Sequence, residues 1–167
     1  MSAIRTFSIV TWVLLPTVMF GGYSLLRLMN AEELSDFQLT FFRAGHAHAG
    51  VLLVMALVYF SFLARTSLSD SLKLWACVIL MLGVLMQSGG FFLHMAVGEQ
   101  GESSPGILVT TIGALLLTVA IGLLVYGLII TKSSPFGLPS EAAYGTSAVA
   151  AGDAPRGGSG PAPTAPV

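Results

Sequence analysis

"GILVTTIGALLLTVAIGLLVYGLII", residues 106–130, runs its whole length without one charged side chain. A helix needs roughly 20 mostly apolar residues to cross a hydrocarbon core, and this run exceeds that. Three more stretches share its character: 7–28, 40–64 and 72–97, each holding a single charged residue near one end. Backbone groups in lipid must be bonded internally, so runs of this length read as helices rather than barrel strands. The expected fold is all-α: an integral membrane four-helix transmembrane bundle over residues 1–132, with a disordered C-terminal tail over 133–167.

Composition agrees. Of 167 residues, 54% are hydrophobic and only 9% charged, far below the roughly one quarter charged in soluble domains. Mean hydropathy is +0.85, so the lipid bilayer is the first expected partner. A net charge of −1 lacks the basic footprint of nucleic-acid binding, and none is expected. The single cysteine, Cys77, lies inside an apolar run and leaves no intramolecular disulfide to form. Arg5 ahead of an apolar core also suits a signal peptide. "GGYSLLRLMNAEE" (21–33) offers no small-x-small cleavage site, however, so the run reads as an uncleaved first helix. Past Lys132 the chain turns to Ala, Gly, Pro and Ser with almost nothing to bury, which cannot offset its ordering entropy.

Basic residues set an expected orientation. With the N-terminus inside, Arg5, Arg65, Lys73, Lys132 and Arg156 are cytoplasmic, and only Arg27 and Arg43 lie outside. The positive-inside rule favours that arrangement, placing the chain in the cell (inner) membrane as a multi-pass protein with both termini cytoplasmic.

All three histidines then gather near the outer face. His46 and His48 open the second run in "FFRAGHAHAGVLLV" (41–54), and His94 closes the third in "QSGGFFLHMAVGEQ" (87–100). Counting from Arg65 and Lys73, His46 and His94 agree in depth within about 3 Å at 1.5 Å rise per residue. His46 and His48 lie about 200° apart around a helix and cannot both aim at one point. On the third run, Ala76, Leu80, Gly83, Gln87, Gly90 and His94 form one stripe of small and polar residues, the kind of face that turns toward protein in membranes. On the second run, Ala49 and Gly50 leave His46 the more open flank, so His46 is the expected inward ligand and His48 stays open. On the fourth run, Thr111, Thr118 and Gly122 share a stripe, and Ser104-Pro105 reads as an N-cap followed by a first-turn proline.

Imidazole is the commonest metal-binding side chain. Two on facing helices can clamp a haem iron axially, which makes haem b the first cofactor to consider. The metal ligands would be His46 and His94. Gly50 and Gly90 would leave room for a flat macrocycle, Arg27 and Arg43 could pair with propionates, and Gln87 belongs to the same stripe. Copper with Met95, or a metal shared with Glu99 or Glu102, is the alternative. Against all of these stands plain packing, because headgroup water solvates interfacial histidines and Gln87 and His94 can bond across helices.

"GHAHAGVLLV" (45–54) after an acidic loop resembles the start of the second helix in small bacterial multi-span membrane proteins that carry a His-x-His there. It also resembles the "HAH" stretch of relatives of the haem–copper oxidase catalytic subunit. That resemblance implies haem or copper and carries over to His46 and His48. Ala49 and Gly50 stand where that pattern has an aliphatic residue and an Asn.

Two functions therefore compete. One is a small membrane protein holding haem or metal between helices 2 and 3 near the outer face, linked to electron transfer or respiratory assembly. The other is a non-catalytic interaction or scaffold subunit whose histidines are structural. A respiratory or other membrane protein is the expected partner, self-association is open, and neither reading makes the chain an enzyme on its own.

Overall fold

The computed structural model describes residues 2–131. Lys132, Arg156 and the tail expected over 133–167 lie outside the described residues. Four helices account for nearly everything else: α1 (Ala3–Asn30), α2 (Asp36–Leu63), α3 (Asp70–Val97) and α4 (Pro105–Ile130). Each is long and apolar enough to cross a membrane, and no strand occurs among the described residues.

Three of the helices start before their apolar runs because a serine caps each one. Ser2, Ser35 and Ser69 each accept a backbone N–H from the first turn, satisfying one of the donors a helix start leaves open. Ser35 and Gln38 complete a reciprocal capping box, which fixes the start of α2 at Asp36. Ser104 caps α4 by accepting from Gly106 N, with Pro105 in the first turn, as the sequence suggests.

The helices are arranged around a central antiparallel pair, α2 and α3. α1 packs in one groove of this pair and α4 in the opposite groove, and α1 and α4 do not touch. The tightest seam joins α3 to α4. On α4, Gly106, Gly113, Ala120 and Gly127 recur every seven residues, and all four are buried. They meet a matching series on α3, so that a Cβ placed on Gly90 would lie 2.7 Å from Gly106 O, and one on Gly83 would lie 2.9 Å from the Leu117 side chain. Small residues at this spacing let two backbones approach, which is how apolar helices gain contact where lipid already solvates larger side chains. The expected stripe of Thr111, Thr118 and Gly122 is instead exposed. Both threonines bond their own helix, Thr111 to Ile107 O and Thr118 to Ala114 O at 2.9 Å each. A hydroxyl satisfied in this way needs no protein neighbour.

The core lies in the half nearest the 64–69 turn, where Leu53, Ala56, Phe60 and Leu63 of α2 interlock with Ala76, Cys77 and Leu80 of α3. Tyr59 is buried there, and its hydroxyl donates to Ala120 O at 2.7 Å, tying α2 to α4. Large apolar side chains such as Trp12, Val13, Met19, Phe20 and Leu115 point outward, compatible with contact to lipid.

Candidate functional site

The two ends of the bundle differ in charge. Ser2, Thr6 and Phe7 of α1 border the same recess as Asp70 and Lys73, and Ser67 N donates to Thr131 Oγ1 at 2.9 Å. Arg5, Arg65 and Lys73 therefore share one end, the basic end. Arg27 and Arg43 lie at the other, with Glu32, Glu33, Asp36, Glu99 and Glu102, leaving Asp70 as the sole acid of the basic end among the described residues.

All three histidines lie in the half toward the acidic end, each in a different setting. His46 is half-buried on the α1 side of α2, its Nε2 3.1 Å from where a Cβ on Gly22 would stand. Gly21 and Gly22 let α1 pass close to that ring. Among the described residues neither nitrogen of His46 has a hydrogen-bond partner. His48 turns its Nδ1 back onto Ala44 O of its own helix at 2.8 Å, and its ring lies 4.7 Å from that of Phe91. His94 is the most enclosed, at 4% exposure. Its Nδ1 lies 2.6 Å from Ser104 Oγ, the atom that also caps α4 at 3.1 Å from Gly106 N. Phe41 and Phe37 meet its ring edge-on at 4.3 Å and 5.3 Å.

His94 does lie on the interior stripe of α3, but from Gly83 to His94 that stripe faces α4. Gly106 passes directly over the backbone of His94, and Gly113 over that of Gln87. His46 faces α1 in the other groove. The fold therefore does not bring His46 and His94 together: their rings are directed to opposite sides of the α2–α3 pair. The α2 rings that reach His94 belong to Phe37 and Phe41. The glycines expected to make room for a macrocycle seat neighbouring helices instead, Gly50 beside Val18 of α1 and Gly90 beside Thr110 of α4. Axial ligation of one haem by His46 and His94 does not fit this arrangement.

The other expected site residues are likewise spread apart. Arg43 is exposed, with a terminal nitrogen 3.5 Å from the sulfur of Met29. Arg27 borders a recess of about 260 Å³ with Tyr23 and Glu33, on a different face of α1 from the one that meets His46. Gln87 is half-buried against α4, and its Oε1 finds no partner among the described residues. No group of three or more His, Cys, Asp or Glu able to hold a metal occurs among the described residues.

Sequence reasoning missed Phe37, Phe41 and Phe91 around His94, and the use of Ser104 as its hydrogen-bond partner. The i, i+4 spacing of Phe37 and Phe41 was a readable signal of one face. The choice of neighbour across helices left no sequence signal. Comparison with known protein families, curated proteins and solved structures finds no match to this chain.

Proposed function

We propose that this chain is a non-catalytic integral membrane protein that works as an interaction or scaffold subunit, its histidines serving helix packing. The basic end lies in the cytoplasm, as the positive-inside rule directs. One observation carries this reading: the imidazoles diverge. His46 is set against the α1 glycines, His48 is bonded to its own helix, and His94 is bonded to the cap of α4. A buried imidazole with a hydrogen-bond partner orders neighbouring helices without any chemistry.

The haem-or-metal reading near the outer face is the rival, and it keeps one support: the unbonded nitrogens of His46 lie beside Gly21-Gly22. Full-length protein purified gently from its native host distinguishes the two by absorption spectroscopy and metal analysis. The scaffold reading expects neither sharp reduced haem bands nor stoichiometric metal. It also expects His46→Ala and His48→Ala to leave the bundle folded. Stoichiometric haem or metal, lost on replacing any of the three histidines, would overturn it and establish the rival.

A further inference from the structure

Two cavities adjoin at His94. The outer one, about 360 Å³, has Asp36, Thr40 and Gln100 along its polar side and Phe37 as an apolar wall. The inner one, about 150 Å³, is lined by Phe91, Ile107, Thr110 and Thr111. Phe41 and His94 border both, so the two recesses lie side by side in a cleft where α2, α3 and α4 meet. Thr111 Oγ1 is bonded to its own helix at Ile107 O, and Phe41, Phe91 and Ile107 give the inner part apolar walls. The cleft thus has a polar chamber at the bundle end and an apolar groove one to two turns deeper.

Its polar groups set what the chamber accepts. Ser104 Oγ accepts the Gly106 N–H and can give its own proton to Nδ1 of His94, 2.6 Å away. With that tautomer Nε2 carries the ring proton. That nitrogen has no protein partner among the described residues, and His94 borders both recesses. An imidazole N–H beside such a recess can donate to an acceptor held there. Asp36 supplies the only charge bordering the outer chamber, and it is negative.

We propose that this cleft holds one phospholipid with a primary ammonium headgroup, of the phosphatidylethanolamine class, from the leaflet at the acidic end. The ammonium lies on the Asp36 carboxylate, a phosphate oxygen accepts from His94 Nε2, and the start of one acyl chain fills the groove between Phe91 and Ile107. Charge complementarity selects this headgroup. An anionic glycerol headgroup brings no cation to Asp36, and a quaternary choline cannot donate a hydrogen bond to it. The proposal goes beyond the scaffold reading and does not depend on it.

The test is native mass spectrometry of the full chain, delipidated in detergent and titrated with dioleoyl phosphatidylethanolamine, phosphatidylcholine or phosphatidylglycerol. The ethanolamine lipid should be retained as a one-to-one adduct, about tenfold or more in preference to the other two. Asp36→Asn, at an exposed position, should erase the preference. Thr111→Trp, also exposed, should block the groove and lower retention of all three lipids. Both variants should keep the helicity of the parent, which separates loss of binding from loss of fold. Equal retention of the three lipids, a preference for the glycerol headgroup, no adduct at all, or a preference that survives Asp36→Asn would each overturn the proposal.

Discussion

A single methyl group at Gly113 tests the reasoning behind the fold. Built on the backbone, the Cβ of Gly113→Ala would stand 2.8 Å from Gln87 Cα and 2.9 Å from the Met86 carbonyl carbon. Carbon pairs rest at about 3.5–4.0 Å, so α3 and α4 must part by about 1 Å at this level. A gap of that size forfeits about a quarter to a half of the dispersion energy of each contact it opens. The obstacles are backbone atoms and no rotamer change relieves them. The cost therefore belongs near the upper end of the range for overpacking, about 3 kcal/mol, or about a hundredfold in the folding equilibrium. Gly122 is the control, because a Cβ there meets nothing within 4 Å. Gly122→Ala should be neutral, or stabilising by up to about 1 kcal/mol through helix propensity. Unfolding of the purified chain in mixed micelles by increasing mole fraction of dodecyl sulfate, followed by far-ultraviolet circular dichroism, measures both. Midpoints for Gly113→Ala and Gly122→Ala lying within about 0.5 kcal/mol of each other would refute the seven-residue seam between α3 and α4.

Other perturbations probe single links. Tyr59→Phe removes the bond to Ala120 O and should cost about 1 kcal/mol in the same assay; no change would mean that this bond does not join α2 to α4. Ser104→Ala removes both the cap of α4 and the partner of His94 Nδ1. It should cost about 2 kcal/mol, more than a surface cap alone. Histidine nitrogen NMR should then show the His94 resonances displaced while those of His46 stay in place. For orientation, Ser67 lies exposed in the α2–α3 turn and Cys77 is buried. Ser67→Cys should therefore resist an impermeant thiol reagent applied to intact cells and react once the cells are opened. Labelling from outside would reverse the orientation.

By itself the sequence determined the elements. Four long apolar runs become four helices because lipid-compatible backbone must bond to itself, and length alone separates such helices from strands. It also carried the start of α4, since Ser104 with Pro105 is a local signal satisfied within one turn, whereas α1, α2 and α3 begin ahead of their apolar runs at serine caps that hydropathy does not register. It put the three histidines in the half of the bundle toward one charged end, because position along a helix follows from counting residues. The tertiary structure decided which helix each residue faces. Periodicity names a stripe, and the Gly83–Gln87–Gly90–His94 stripe was legible, but nothing in a stripe tells whether α2 or α4 will cover it. That choice rests on the seven-residue series of small residues in α4, whose close fit to α3 is a property of two surfaces together. Once α4 takes that groove and α1 the other, His46 and His94 are turned to opposite sides. His94 becomes the partner of Ser104 and the phenylalanines of α2. The physical reason is that helix formation is local and is written in consecutive residues, whereas helix pairing is a competition among surfaces that only the assembled bundle resolves.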